Sequence, residues 1–458
     1  MVRAVNAAVC PQAQPSGSTQ KSPPSPLSAS DFDYELPPEL IAAQPAAERD
    51  QSRLLVVQPA GAEAGVSSAA ETTGASVSAT NASADAGPFD HERFADLPRL
   101  ITQHVGARTL IVLNDSKVLL ARLYGHKRGI DGEQGGQVEF LLTEPIVDAS
   151  TPGHARWRAL YRCSKPLRAG HVVRLHKKAA PALLHHDVRV EHAQHGTAIL
   201  NLGPLSDGEL SALLDRLGEL PLPPYIENAR VRDGGLRSQD GDRIRYQTVF
   251  AARDGSVAAP TAGLHFTQAL LDRLRADGHE IAHVTLHVGP GTFLPLRSDR
   301  IDEHVMHSER YQISAETARA ICAAKRQGRK VLAVGTTVVR TLEAAARDQS
   351  GSPDLLQPCD MASTQIFIYP PFRFAVVDAL LTNFHLPRST LLMLVAAFAG
   401  RQRILAAYRE AVARRYRFYS FGDAMLIPRV QGQEHPSATD AACHGESPAL
   451  RGLGSTDV

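Results

Sequence analysis

The chain lacks any cysteine pair. Its five cysteines, Cys10, Cys163, Cys322, Cys359 and Cys443, stand far apart and are odd in number. No CxxC spacing occurs, which argues against a disulfide framework and a zinc ribbon and fits a reducing compartment. An excess of charge is also missing: 49 Lys and Arg nearly cancel 48 Asp and Glu, for a net charge of +1. That excludes a globally basic nucleic-acid coat, so any nucleic-acid partner needs a local patch. Long apolar runs are absent. The longest nearly pure one, LLMLVAAFA (Leu391 to Ala399), has about half the ~20 residues of a membrane span and reads as a buried helix. There is no GxxxxGK[ST] phosphate loop and no internal repeat. These absences point to a soluble cytoplasmic protein without a membrane partner.

What is present divides by texture. A chain of 458 residues allows two or three domains. Residues 1–30 are Pro/Ser-rich without a hydrophobic segment and read as a disordered extension rather than a targeting peptide. Residues 59–88 form a small-residue tract with too few large apolar groups to offset chain entropy. The tail, 429–458, reads the same way. Between them, residues 119–223 hold short runs with two-fold alternation, such as GGQVEFLLTE, RWRALYRC and HVVRLH, which predict a small antiparallel barrel. Residues 31–118 and 224–428 predict an α/β body with a partly parallel sheet, into which that barrel is inserted. A strand near Val257 is expected to lead through PTAGLHF into a helix capped by Thr267 and stopped at Gly278. The strand IAHVTLHV follows, then a helix capped by Ser314 and ending at Gly328. Next come the strand KVLAV, a GTT turn and the helix VVRTLEAAARD.

Ligands in such sheets collect where strands end and helices begin. PTAGLHF sets His265 at one such junction, where packing, metal ligation and catalysis are all open. In HVTLH, His283 and His287 on a strand would lie roughly 13 Å apart, too far for one metal ion. EHVMH, if helical, would make Glu303, His304 and His307 half of a metal site, against a bland reading as solvent-facing histidines. VGTTVVR can open a helix with Thr336 and Thr337, whose amides and hydroxyls suit an anion, with Arg340 one turn later. HVGPGTF allows close backbone approach at Gly289 and Gly291, or is simply a tight turn. TNFHLPRST sets Asn383, His385 and Arg388 near a core edge. Between His154 and His186 no acid occurs, while Arg156, Arg158, Arg162, Lys165, Arg168, Arg174, Lys177 and Lys178 interleave with Trp157 and Tyr161. A second basic run holds Arg414, Arg415 and Arg417. Either is a solvated face or a phosphate- and base-binding surface.

Taken together, collinear stretches resemble one family. They include FDYELPPELIAAQPAAERDQSRLLVV, LNDSKVLLARLYGHK, GELPLPPYI, AAPTAGLHFT, VTLHVGPGTFLPL, EHVMHSE, AVGTTVVRTLE, VVDALLTNFHLPRSTLLMLVAAFAG and YRFYSFGDAMLI. The chain resembles the S-adenosylmethionine:tRNA ribosyltransferase-isomerases of queuosine biosynthesis over about Asp31 to Val57 and Phe89 to Pro428. The N-terminal arm, the 59–88 tract and the tail look extra.

The resemblance implies that S-adenosylmethionine donates its ribosyl part rather than its methyl. The acceptor is 7-aminomethyl-7-deazaguanine at the tRNA wobble position. The product is epoxyqueuosine, with adenine and methionine released. No metal is expected, and a monomer is expected. The sulfonium acidifies C5′, adenine leaves better when protonated, and the acceptor amine attacks when neutral. These are acid–base tasks suited to histidine. His265, His287, His304, His307 and His385 are the candidates. Thr336, Thr337 and Arg340 would hold a carboxylate or phosphate. Gly263, Gly289 and Gly291 would admit the backbone close to substrate, and Thr261, Glu303, Asn383 and Arg388 would bind it. Arg156, Arg158, Arg162 and Lys165, with Arg414, Arg415 and Arg417, would meet tRNA. The rivals are a metal-dependent hydrolase built on the histidine clusters and a tRNA-binding module. An ordinary methyltransferase lacks support because no GxGxG loop follows the first strand.

Overall fold

The computed structural model describes residues 27–58, 88–129, 133–146, 153–178, 180–235, 241–289, 291, 296, 299–348 and 355–429. Most of the N-terminal arm, residues 59–87 and the tail from 430 therefore lie outside the described residues. Ala29 and Phe32 are already buried, so the packed body begins slightly before residue 31.

The first part of the chain forms β1 (Arg53–Val57), β2 (Phe89–Arg93), α1 (Leu97–His104), β3 (Leu110–Asn114) and β4 (Ser116–Val118). Next come β5 (Arg122–Arg128), β6 (Gln134–Pro145), β7 (Arg156–Cys163), β8 (Val172–Lys177), β9 (Ala180–Gln194) and β10 (Thr197–Asn201). Helices α2 (Asp207–Leu217), α3 (Pro224–Arg232) and α4 (Asp242–Arg245) lead back through β11 (Arg253–Ser256). Then follow α5 (Gln268–Ala276), β12 (Glu280–Leu286), β13 (Glu309–Ile313), α6 (Ala315–Arg326), β14 (Val331–Val334) and α7 (Thr336–Asp348). The chain ends with β15 (Cys359–Thr364), β16 (Ala379–Asn383), α8 (Thr390–Ala399), α9 (Arg401–Ala413) and β17 (Ala424–Pro428).

Nine strands make one mixed sheet in the order β15-β13-β12-β3-β14-β16-β17-β1-β2. Its centre, β12-β3-β14-β16, is parallel. The central strands β3, β14, β16 and β17 are buried along their whole length, which is why they read as unbroken apolar runs. Side-chain alternation still sorts the faces. Leu110 and Val112 join the core under α6, α7, α8 and α9, while Ile111 and Leu113 join the core under α1 and α5. The apolar α8 is buried in the first of these cores. Among the described residues no single helix is long and apolar enough to cross a membrane.

The expected inserted barrel is present: β10-β7-β6-β5-β8-β9 close antiparallel. Closure removes the exposed edges that a small sheet would leave. Trp157, Ala159, Leu123, Phe140 and Val173 point inward, and α2 adds Leu213, Leu214 and Leu217. That helix starts at a capping box, with the Glu209 amide donating to Ser206 Oγ and the Ser206 amide donating to Glu209 Oε2. The barrel joins the main body through a two-stranded parallel neck of β4 and β11. One expectation needs correction here. The strand before PTAGLHF is β11, and among the described residues it pairs only with β4, so this segment is not a crossover from a main-sheet strand. The caps at Thr267 and Ser314 do form, each side chain accepting from a backbone amide one turn on.

Candidate active site

The carboxyl ends of β12, β14 and β16 converge on a cleft of about 670 Å³, counting its open mouth. Val288 follows β12, Thr336 and Thr337 follow β14, and Thr382, Asn383, Phe384 and His385 lie at the end of β16. Pro260, Thr261 and Ala262 close one side, and Tyr225, Tyr419 and Ser420 another. Tyr225 and Tyr419 stack with centroids 4.5 Å apart, and Tyr419 Oη is buried without a partner among the described residues. The wall is mostly apolar with a few converging polar groups, as small-molecule sites are.

Helix α7 begins directly at Thr336, so the GTT segment is not a separate turn. Gly335 makes the sharp entry at φ +90°, a conformation that L side chains avoid. The first amides of the helix therefore open toward the cleft without intrahelical acceptors. Among the described residues Thr336 Oγ1 has no hydrogen-bond partner, while Thr337 Oγ1 accepts from Asn114 Nδ2 at 3.3 Å. Asn114 terminates β3, and its amide exchanges both bonds with the Leu286 backbone at 3.0 and 3.1 Å. One side chain thus locks β12 to β3 under the cleft floor.

His265 does not line the cleft. It is buried against Phe94, with ring centroids 4.9 Å apart. Asn383 Nδ2 lies 3.1 Å from His265 Nε2 and Ser52 Oγ lies 3.0 Å from Nδ1. The Asn383 orientation is set by its other end, where Oδ1 accepts from the Thr261 hydroxyl at 2.9 Å. Asn383 Nδ2 therefore donates to Nε2, and Nδ1–H donates to Ser52. Burial first, then Arg417 and Arg49, hold the ring pKa down at about 3. His265 is a neutral strut with both nitrogens engaged, and it fixes two cleft residues, Asn383 and Thr261.

His385 faces the cleft. Its Nε2 lies 3.0 Å from Thr382 Oγ1, and Nδ1 has no partner among the described residues. The His385 amide donates to Tyr408 Oη at 2.9 Å, and Tyr34 Oη donates to the His385 carbonyl at 2.5 Å, so the backbone cannot drift. Burial alone pushes this ring down to about 3.

Other expected residues are placed differently. Arg340 does not reach the cleft as an anion ligand. Its guanidinium pairs with buried Glu309 and donates to the Ile366 carbonyl at 3.3 Å. Glu309 also accepts from the Gly289 amide at 3.3 Å, so Gly289 contacts a carboxylate of the protein. Gly263 has no room for a Cβ, which would meet Phe250 and Thr248 at 2.8 and 2.9 Å; it serves packing rather than substrate approach. At Gly291 a Cβ would strike the His307 ring at 2.2 Å. His287 sits just beyond β12 with Nδ1 buried and unpartnered among the described residues, and burial lowers it to about 4. EHVMH is not helical: His304 ends a short 3₁₀ turn and packs edge-on to Phe367, while His307 is exposed. Glu303 is exposed and paired with Arg300, and Arg388 is paired with Asp299, both on the surface. Among the described residues no group of three or more His, Cys, Asp or Glu is placed to hold a metal ion.

The basic faces are less one-signed than the sequence suggests. Arg156 pairs with Glu191, Arg158 with Glu144 and Arg174 with Asp187 across the barrel, because strand pairing imports acids from outside the acid-free run. Trp157 is in the barrel core and cannot stack a base. Arg162 and Lys165 are exposed. Arg414 pairs with Glu410, Arg417 with Asp423, and Arg415 is exposed. Sequence reasoning passes over Ser52, Asn114, Tyr225, Thr382 and Tyr419. Ser52 and Asn114 lie in the quoted stretches SRLLVV and LNDSK, but a lone Ser or Asn carries no signal of its partner.

The fold and cleft define a class: an α/β enzyme with an inserted barrel and a small-molecule site at the carboxyl ends of parallel strands. Comparison with known proteins narrows it. The family model described as queuosine biosynthesis protein matches residues 29–74 and 76–427, and the chain belongs to that family. A relative from Anaeromyxobacter sp. (strain Fw109-5), named S-adenosylmethionine:tRNA ribosyltransferase-isomerase, is 46% identical over 402 residues, covering 87% of this chain and 99% of the relative. Proteins of the same name from Sorangium cellulosum and Heliobacterium modesticaldum are each 45% identical, over 86% of this chain and 97% and 98% of theirs. The crystal structure of S-adenosylmethionine tRNA ribosyltransferase from Thermotoga maritima is 34% identical, covers 87% of this chain and 100% of its own, and gives a TM-score of 0.43. This chain is therefore a tRNA ribosyltransferase-isomerase of queuosine biosynthesis.

Proposed function

We propose that the protein transfers the ribosyl part of S-adenosylmethionine to 7-aminomethyl-7-deazaguanine at the tRNA wobble position and isomerises it. The product is epoxyqueuosine-tRNA, and adenine and methionine leave. The reading takes the protein as a cytoplasmic monomer. The observation that carries it is the pairing of a neutral histidine and a helix N-terminus on one cleft wall.

In this reading the amides of α7 and the Thr336 hydroxyl receive the methionine carboxylate, since helix N-termini favour anions. Arg340 is released from that role by Glu309. The sulfonium then lies toward His385, whose free Nδ1 takes a C5′ proton. A ring held neutral by burial is in its base form at working pH. The transfer turns a cationic sulfonium into a neutral ylide as the ring becomes cationic. Charge moves within the cleft without being created, so burial does not oppose the step in full. Thr382 orients the ring. His265 acts from behind the wall, setting Asn383 and Thr261.

Label from S-adenosylmethionine tests the reading directly. Ribose-carbon label should enter tRNA; methyl label entering instead would refute it. His385→Ala should lower the single-turnover rate by about 10²–10⁴, the usual worth of general base catalysis. A near-normal rate would remove His385 from the chemistry.

A further inference from the structure

The turn carrying Thr261 is tied down from outside by an arginine. Arg49 donates Nη1 to the Leu264 carbonyl at 2.9 Å and Nη2 to the Ile244 carbonyl at 2.8 Å. Arg245, the next residue after Ile244, reaches back to the carbonyls of Ala46 and Ala47 at 2.7 and 2.8 Å. Each arginine thus grips the other's segment, and the Arg245 charge is felt at Arg49.

Among the described residues neither has a counter-charge. Glu48 and Asp50 flank Arg49 in sequence, yet no described carboxylate pairs with either arginine. Asp242, on the same short helix as Arg245, is taken up bidentately by Arg230 at 2.6 and 2.7 Å. Burial and the neighbouring Arg245 charge both hold Arg49 below its ordinary pKa. Arg245 Nε is buried and has no hydrogen-bond partner among the described residues. The four bonds to carbonyls satisfy donors on both guanidiniums but neutralise neither charge. Beside the pair stands Ile244, 72% exposed, an apolar surface in solvent. Neither arginine lines the cleft, so the pair is not a second handle on its small-molecule ligand.

We propose that Arg49 and Arg245 form a phosphate-binding site for the tRNA backbone, with Ile244 against the adjoining sugar. The proposal rests on the tRNA reading above. A phosphate supplies the missing negative charge, and each guanidinium Nη carries a second hydrogen beyond the one given to its carbonyl. Because Arg49 also holds Leu264, three residues past Thr261, a phosphate here sits on the back of the turn that walls the cleft. The acceptor base then enters the cleft while its backbone is held outside.

The test is salt-dependent binding of a tRNA transcript to the full chain, wild type against Arg49→Gln, Arg245→Gln and the double variant. A lost phosphate contact should cut the slope of log affinity against log salt by about 0.7–0.9. Affinity at low salt should fall about tenfold, and in Arg245→Gln, which leaves the Arg49–Leu264 contact in place, S-adenosylmethionine binding should stay unchanged. Arg49→Lys and Arg245→Lys keep the charge but lose the fork, and they should retain the wild-type slope. A wild-type slope in the double variant, or equal loss with lysine and glutamine, would overturn the site and leave a carbonyl staple. Wild-type protein that binds no tRNA at any salt would overturn the parent reading instead.

Discussion

Two buried histidines, His265 and His385, carry the same depressed pKa of about 3 and do different work. His265 spends both ring nitrogens on Ser52 and Asn383, while His385 keeps one for the cleft. Gln at position 265 can still accept from Asn383 and donate to Ser52. His265→Gln should therefore keep most of the activity that His265→Ala loses, with the alanine loss falling on KM as well as kcat because Asn383 and Thr261 swing free. Equal loss in both variants, read from steady-state kinetics, would make His265 more than a strut. The same burial makes stability depend on pH. In the unfolded chain both rings titrate near the ordinary 6.5. Above that value neither state holds the proton and stability is full. As pH falls toward about 3, the unfolded chain takes protons that the fold refuses. Each histidine should then raise the unfolding equilibrium about tenfold per pH unit. Urea midpoints at neutral pH and two units lower should show this fall, and His265→Gln should remove one ring's share. PTAGLHF in sequence leaves packing and catalysis open for His265, because a hydrogen-bond partner 118 residues away is not written beside it.

At the scale of elements, the cleft depends on how α7 starts. Gly335 at φ +90° lets β14 pass into α7 directly, and a Cβ added there would find its nearest neighbours, Ala262 and Thr337, at 3.6 Å. Space is therefore adequate and only backbone strain opposes a side chain. Gly335→Ala should cost about 1–3 kcal/mol of stability. It should also weaken S-adenosylmethionine binding by tilting the first amides. Calorimetry on both counts checks this, and unchanged affinity would separate α7 from the carboxylate. Helices and caps are legible in the sequence, since Thr267 and Ser314 act on amides three residues away. The strand before PTAGLHF is not placed by its sequence, because local pattern names a strand without naming its neighbour. β11 pairs with β4, from which it is separated by the whole barrel. Arg340 misleads for the same reason: its partner Glu309 lies on a strand preceding a helix and another strand.

Over the whole molecule, the chain leaves one sheet on two long excursions. The barrel enters through the β4–β11 neck, and residues 59–87 join the antiparallel pair β1 and β2. The ends of that second excursion already meet, with the Gln58 amide donating to the Pro88 carbonyl at 3.1 Å. Replacing residues 60–87 by a short Asn-Gly turn should leave folding and activity intact, because closing a hairpin this way matches strand twist. A folded but inactive deletion, measured with the label assay, would give the tract a function. The sequence by itself determined the fold class, the antiparallel texture of the barrel, the buried α8 and the family. Those follow from periodicity, caps and long collinear motifs, which are local along the chain. Tertiary structure alone decided which histidine faces the cleft, which arginines are already spent on carboxylates, and which pair is left without one among the described residues. Those depend on burial and on contacts between residues far apart in sequence, and the charge of a side chain does not say what will neutralise it.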